Sequence, residues 1–211
     1  KTIMAGLYLK ELKLRRALTR TLVVAPANLV AQWQREMATK FDERFDVVDR
    51  GALDAYGSRA WELSDQCVVS IDFAWQSDVM ESLARATRWD LVIVDEAHKM
   101  AAYRRGNTIE RTRRYRLGEL LTEQTEHLLL MTATPHKGDP ENFRLLLKLL
   151  DPDLFANTKI LARAVRRQEN PIFLRRLKED MRDFEGKPLF PPRHVRTLGL
   201  DLTPPEQALY E

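Results

Sequence analysis

The stretch Asp90-Leu91-Val92-Ile93-Val94-Asp95-Glu96-Ala97-His98 constrains the fold more than any other part of the chain. Four aliphatic residues in a row, three of them β-branched, read as a strand buried on both faces. Strands of that kind belong to parallel sheets covered by helices. The run stops where charge begins, so two carboxylates and a histidine fall at its carboxyl end. That is the edge at which open α/β sheets take ligands. Adjacent Asp and Glu there suit nucleotide hydrolysis. One carboxylate holds Mg²⁺ through its water shell, and the next orients or deprotonates the attacking water. A buried strand running into a plain polar loop has the same pattern, so the rest of the chain must decide.

The flanking sequence alternates strands and helices. Thr21-Leu22-Val23-Val24, Phe45–Asp49, Cys67–Ile71 and Glu126–Met131 read as further strands. An apolar face through Met4, Leu7, Tyr8 and Leu12 predicts a helix to about residue 18. Asn28 is placed to cap a second helix, with Leu29, Val30, Trp33 and Met37 inward and Trp33 packing rather than stacking on a base. Gly51 to Ser64 fits loop or short helix. A helix from about Ala74 to Thr87 turns Trp75, Val79 and Leu83 inward. Lys99 to Asn107 reads as irregular, with a helix from about Ile109 to Thr122 after it. Asp139-Pro140-Glu141 starts another helix, with Asp at the cap and Pro in the first turn. A basic helical region spans Arg163 to Lys178. Residues 184–192 are rich in Gly and Pro and read as a linker. Val195–Leu202 alternates like a strand, and Thr203-Pro204-Pro205-Glu206 is a capping box. About five strands alternating with helices imply an α/β fold, a parallel sheet with helices on both faces.

Charge narrows the function. The chain of 211 residues carries only +3, but Lys99 to Arg116 alone carries +6, leaving −3 for the remainder. A local positive segment suits a surface that meets phosphate, and equally a solvated helix face. Its candidate contacts are Arg104, Arg105, Arg113 and Arg114. No apolar run reaches membrane-spanning length, which points away from a membrane protein. The single cysteine, Cys67, lies in an apolar run and reads as a core thiol, which fits a reducing, cytoplasmic setting.

Lys1-Thr2 opening a helix matches the end of a phosphate-binding loop, G-x-x-x-x-G-K-[ST]. There the Lys reaches the β and γ phosphates and the Thr hydroxyl ligates Mg²⁺, while glycine-turn N–H groups face the phosphates. Alone the dipeptide means little. It gains weight from Asp95-Glu96 downstream.

Taken in order, these motifs resemble the first motor lobe of superfamily 2 helicases and translocases, specifically the bacterial branch of the Swi/Snf-like ATPases. Lys1-Thr2 is similar to the end of motif I. Ala25-Pro26-Ala27-Asn28-Leu29 through Gln32-Trp33 resembles motif Ia, and Ser70-Ile71-Asp72 occupies the place of motif Ib. Asp95-Glu96-Ala97-His98 is similar to motif II, the DEAH box, and Thr132-Ala133-Thr134-Pro135 to motif III. Arg175 to Asp180 resembles the basic helix that closes the lobe. Pro191-Pro192-Arg193 and the residues from Leu202 to Tyr210 resemble the entry to the second. Motif III reads Thr-Ala-Thr-Pro where eukaryotic remodellers read Thr-Gly-Thr-Pro, which points away from nucleosome remodelling.

The resemblance implies a RecA-like, P-loop NTPase lobe at residues 1–183, with a linker and the start of a second RecA-like lobe at 184–211. It implies ATP and Mg²⁺ as cofactors and double-stranded DNA and the second lobe as partners. Residues implied in nucleotide binding are Lys1 and Thr2, in holding metal Thr2 and Asp95, in catalysis Asp95 and Glu96, and in coupling His98, Thr132 and Thr134. It also implies a glycine-rich turn and a strand before Lys1, that strand lying centrally beside the one ending at Asp95. Cytoplasmic, nucleoid-associated work in a bacterium follows. Residues 1–211 by themselves are expected to hydrolyse ATP negligibly, because the arginine finger belongs to the second lobe. Two alternatives stay open: a non-catalytic nucleic-acid or partner-binding lobe, and the motor of a restriction-type superfamily 2 enzyme.

Overall fold

The computed structural model describes residues 1–106, 108–134, 139–153, 174, 180–191, 195–197 and 199. They belong to two compact units, Lys1–Glu169 and Asn170–Glu211.

In the first unit the apolar runs become strands. These are β1 (Thr21–Ala25), β2 (Asp46–Val47), β3 (Gln66–Ser70), β4 (Trp89–Asp95) and, further on, a strand at Thr125–Met131. Between and around them lie α1 (Thr2–Leu14), α2 (Val30–Phe41), α3 (Arg50–Tyr56), α4 (Ile71–Ala74) and α5 (Ser77–Ala84). A hairpin of β5 (Ala102–Arg105) and β6 (Thr108–Arg111) follows β4. Then come α6 (Arg113–Glu123), the strand Thr125–Met131, here β7, and α7 (Pro140–Leu147).

The five-stranded sheet has the order β2-β3-β1-β4-β7, with every pair parallel. β4 lies between two neighbours, with Val94 opposite Val24 on one side and Leu130 on the other. Alternate residues of each strand feed two cores. Leu22, Val24, Val69, Val92 and Val94 pack with Ile71, Val79, Leu83, Leu117, Leu121 and Leu145, so α4 to α7 cover that face. Val23, Ala25, Val68, Leu91 and Ile93 pack with Ala5, Leu9, Trp33 and Met37, so α1 and α2 cover the other. Leu91, Val92, Ile93 and Val94 are at most 1% exposed. At roughly 1.5–3 kcal/mol for each buried aliphatic side chain, this strand anchors the domain. Its first polar residue secures the neighbouring strand: Asp90 Oδ2 accepts from the backbone N–H of Thr19 and of Arg20, both at 2.7 Å.

Within residues 1–211, β1 and β7 flank β4 on either side. Several expectations are corrected. Asn28 does not cap α2; it lies within a 3₁₀ turn, Ala27–Leu29, and Leu29 takes the cap position. The first helix ends at Leu14, where Arg16 turns left-handed at φ 56°. β2 keeps only two residues of the strand expected from 45 to 49. Gly51 to Ser64 becomes α3, capped by the Asp49 side chain, followed by a 3₁₀ turn, Gly57–Glu62. The helix expected from 74 to 87 is two helices. Ser70 caps α4 directly at the end of β3, and Gln76 is extended (φ −63°, ψ 142°), which separates α4 from α5.

Within the stretch expected to be irregular, Ala102–Arg105 forms a strand, and the following helix does not start at Ile109. The chain forms the β5–β6 hairpin, with Ala102 opposite Arg111 and Arg105 opposite Thr108. Gly106 has φ +60°, the left-handed backbone that two-residue hairpin turns require. Thr112 then caps α6 by accepting from the Tyr115 N–H at 3.1 Å. The expected cap of α7 is present: Asp139 Oδ1 accepts from the Glu141 N–H, and Pro140 occupies the first turn.

In the second unit, residues of the expected linker form a tight turn. Asp183 Oδ1 accepts from the N–H groups of Glu185 and Lys187, and Gly186 sits at φ +82°. Of the expected strand at 195–202, Val195, Arg196, Thr197 and Gly199 are irregular. The cations of the basic segment Arg163 to Lys178 and the capping box at Thr203 lie outside the described residues.

Candidate active site

Asp95 is the last residue of β4 and is only 4% exposed. Burying a carboxylate costs several kcal/mol unless donors replace its water. Three donors do so. The Trp33 indole Nε1 donates to Oδ2 at 3.1 Å, the Glu96 N–H donates to Oδ1 at 2.9 Å, and Lys1 Nζ stands 3.4 Å from Oδ1. Both carboxylate oxygens are therefore fixed in direction before any ligand arrives.

Glu96 turns the chain sharply. Its backbone is left-handed (φ 50°, ψ 45°), a conformation that a side chain with a Cβ adopts at some cost. The turn starts the 3₁₀ segment Ala97–Lys99 and buries Ala97. The Glu96 carboxylate accepts from Lys1 Nζ on Oε1, and its Oε2 lies 3.2 Å from His98 Nδ1. His98 Nδ1 is also 3.0 Å from Thr132 Oγ1, and Thr132 Oγ1 accepts from the Thr134 N–H at 3.1 Å. Sequence reasoning singled out Lys1, Asp95, Glu96, His98, Thr132 and Thr134, and the fold brings all six into one connected path. The register explains the last step: Asp95 pairs with Met131, so Thr132 emerges beside the acids.

The path responds to proton position. With its proton on Nδ1, His98 donates to the Glu96 carboxylate. With the proton on Nε2, Nδ1 accepts from the Thr132 hydroxyl. The imidazole thus links to either the acid or the threonine.

Lys1 precedes the first turn of α1, and Thr2 is the first helical residue. That turn holds no acidic side chain, leaving the positive end of the helix to an anion. Among the described residues no group of three His, Cys, Asp or Glu could hold a metal ion. An ion coordinated largely by phosphate and water needs only one or two protein oxygens. Asp95, with one buried carboxylate, is compatible with that kind of Mg²⁺ site and not with an ion caged by protein alone.

The four candidate arginines lie apart from this path and are mostly paired. Arg104 lies 3.5 Å from Glu141, Arg105 lies 2.8 Å from Glu110, and Arg114 donates to Asp72 at 2.7 Å. Arg113 is exposed and lies over the Trp75 ring at 5.5 Å. Lys99, Arg113 and Arg114 line one wall of a cavity of about 250 Å³ together with Trp75 and Tyr103. The charge excess read along the chain is therefore smaller in space.

Two features escaped the sequence. Trp33 read as packing, and nothing in its apolar spacing announces a hydrogen bond to a residue 62 positions away. Arg144 is 4% exposed and pairs with Glu141 through Nε (2.9 Å) and Nη2 (2.6 Å). That pair raises the Arg144 pKa and holds the Glu141 carboxyl below its ordinary range, the hydrogen bond outweighing burial. An Arg three residues after a Glu on a helix was a readable signal for it.

Comparison with known proteins identifies the family of the chain. An uncharacterized ATP-dependent helicase, YqhH of Bacillus subtilis, is 30% identical over the whole chain, which covers 36% of that protein. The RNA polymerase-associated protein RapA of Yersinia pestis is 35% identical over 74% of the chain, which covers 16% of it. The chain thus spans about a third or less of these relatives. Among solved structures, the Sulfolobus solfataricus SWI2/SNF2 ATPase core in complex with dsDNA aligns over 81% of the chain and 34% of its own, with a TM-score of 0.52 and 18% identity. The Pyrococcus furiosus Hef helicase domain aligns over 71% of the chain and 30% of its own, with a TM-score of 0.54 and 19% identity. At those identities the likeness shows a shared fold, the RecA-like core. The family model of the SNF2-related domain matches residues 1–211 throughout, and the chain belongs to that family.

Proposed function

We propose that the chain is the ATP-binding first lobe of a DNA-dependent ATPase that translocates on double-stranded DNA, with residues 1–183 forming the lobe and 184–211 leading into a second. The observation that carries this reading is the convergence of Lys1, Asp95 and Glu96 at the carboxyl end of β4. A lysine from one part of the sequence meets two adjacent carboxylates from another, and Glu96 takes a left-handed backbone there. A non-catalytic binding lobe needs none of this. The names of its relatives, a helicase and a core bound to dsDNA, support the same class.

The residues then divide the work. Without nucleotide, Lys1 neutralises two adjacent carboxylates. With nucleotide, its ammonium transfers to the β and γ phosphates and releases the Glu96 carboxylate to accept a proton from the attacking water. Mg²⁺ held by Asp95 and Thr2 would supply positive charge on the phosphates. His98 sits between the general base and Thr132, so the state of Glu96 reaches β7 and the turn beyond it through one imidazole. The loop at Ala27–Leu29 and the exposed cations near Trp75 face DNA, mainly its phosphates. Turnover requires the arginine finger of the second lobe, worth roughly 10³–10⁵ in related phosphoryl-transfer sites, so residues 1–211 alone turn over ATP negligibly. The setting that fits is the DNA-containing cytoplasm of a bacterium.

The test is Glu96→Gln in the intact protein. DNA-stimulated ATP hydrolysis should fall by about 10²–10⁴-fold with ATP binding retained. A variant with wild-type turnover removes Glu96 as the base. An intact wild-type protein that binds DNA and never hydrolyses ATP favours the binding-lobe reading instead.

A further inference from the structure

Trp33 is 2% exposed, in the first turn of α2, among Val23, Ala25, Met37, Leu91 and Ile93. Any large apolar side chain would meet that packing need. What distinguishes Trp33 is its Nε1–H, which donates to Asp95 Oδ2 at 3.1 Å in a buried setting. Burial alone does not bring an indole to a carboxylate. Trp61, fully buried, donates to the Ser82 hydroxyl at 2.9 Å, and the buried Trp89 nitrogen has no hydrogen-bond partner among the described residues. A hydrogen bond to a charged acceptor away from water is also stronger and more directional than a neutral one.

We infer that Trp33 is a positioning residue for Asp95. Its indole holds Oδ2 and so sets the plane of the carboxylate, whose Oδ1, also held by the Glu96 N–H, lies 3.4 Å from Lys1 Nζ. Without that bond Oδ2 loses its buried donor, the carboxylate is held through Oδ1 alone by the Glu96 N–H and Lys1, and the outer-sphere contact loses part of its direction. The geometry also attaches the acid to α2, whose preceding turn, Ala27–Leu29, lies at the same rim of the sheet. A displacement of that turn is carried to Asp95 through one ring. The inference rests on the reading of Asp95 as the carboxylate that holds the nucleotide's Mg²⁺.

The experiment uses the intact protein with ¹⁵N-labelled tryptophan. The Trp33 indole resonance, identified by its loss in Trp33→Phe, should lie downfield of the other indoles and move upfield in Asp95→Asn. Trp33→Phe should lower kcat by about 10–100-fold, the range for partners that orient metal-holding groups. It should also raise the Mg²⁺ concentration for half-maximal rate, with KM for ATP changed by less than about twofold. Met37→Ala, one turn along the same buried face, serves as the packing control: it should lower the melting temperature and leave both the indole resonance and the Mg²⁺ dependence in place. A resonance that Asp95→Asn does not move overturns the positioning role alone. So does a Trp33→Phe variant whose kcat and Mg²⁺ dependence match those of Met37→Ala. ATP hydrolysis in the wild type that is indifferent to Mg²⁺, or to Asp95→Asn, overturns the metal-holding assignment of Asp95 and the positioning role with it.

Discussion

The two charged regions of this molecule behave in opposite ways. At the end of β4, the acids Asp95 and Glu96 share one lysine, and each has further partners fixed by the sheet. Between Lys99 and Arg116 there are seven cations, and the fold scatters them: onto a hairpin, onto the start of α6, and against acids drawn from other elements. The first region concentrates charge that looks modest in sequence. The second disperses charge that looks large. A run of like charge in the sequence thus says little about the field it makes, because Asp72 and Glu141, which answer Arg114 and Arg104, lie outside it.

The sharpest way to break this comparison is to measure what the second region does with DNA. Arg113 and Arg114 replaced together by Gln in the intact protein should flatten the dependence of log affinity on log salt by about two, near 0.9 for each phosphate that is no longer neutralised. At low salt the affinity should fall by roughly an order of magnitude or more. Arg113→Gln alone should carry the larger share, since Arg114 already donates to Asp72. An unchanged slope in a salt titration would show that the region is a solvated surface and move the DNA-binding surface elsewhere.

Legibility followed the same division. The buried strands were readable because their pattern is local: an apolar run between polar ends needs no knowledge of neighbours, and β1, β3, β4 and β7 appear where it placed them. The acids were readable because they close an apolar run, whereas the lysine, histidine and threonines were singled out by the order of motifs that resembles a known family. The hairpin was hidden because arginines at 104, 105 and 111 obscure its alternation. The only local marks were Gly106-Asn107 and the β-branched Thr108-Ile109. Asn28 misled for a different reason. It has the right chemistry for a cap, but the backbone is already in a 3₁₀ turn when it arrives. The position of Trp33 against Asp95 is a property of packing across 62 residues, and no periodicity encodes it.

A second prediction concerns the joint between the regions. Arg104 of the hairpin and Arg144 both address Glu141 on α7, so this acid ties the basic segment to the helix that follows Thr134. Glu141 is held below its ordinary carboxylate range, first by the hydrogen bond from Arg144. A lowered folded pKa stabilises the protein above the unfolded pKa, and that contribution is lost as pH falls through the folded value. Glu141→Gln should therefore cost about 2 kcal/mol at pH 7, in the range for a hydrogen bond to a charged group. The gap from wild type should close as pH falls below the ordinary Glu value of 4.5. Chemical denaturation of both proteins at several pH values checks the sign. A gap that persists unchanged at pH 3 would mean that Glu141 acts by packing and not by charge.

The smallest effect tests how closely the basic helix is docked. A Cβ on Gly118 of α6 would come within 2.7 Å of Leu149 Cδ1 and 3.2 Å of Met100 Sδ. Both are ends of flexible side chains, and Met100 follows directly from the Ala97–Lys99 turn. A side chain at this position of α6 would therefore have to displace the ends of Leu149 and Met100. Gly118→Ala gains helix propensity of about 1 kcal/mol and meets an overpacking cost of roughly 1–3 kcal/mol, so a net loss near 1 kcal/mol is expected. For a domain of this size that lowers the melting temperature by a few degrees. Pairing it with Leu149→Ala separates the terms: relief of the clash makes the double variant more stable than the sum of the two single losses predicts. Strict additivity would mean that α6 has room to move away, and that the basic region is held less firmly to the acid cluster than Gly118 implies.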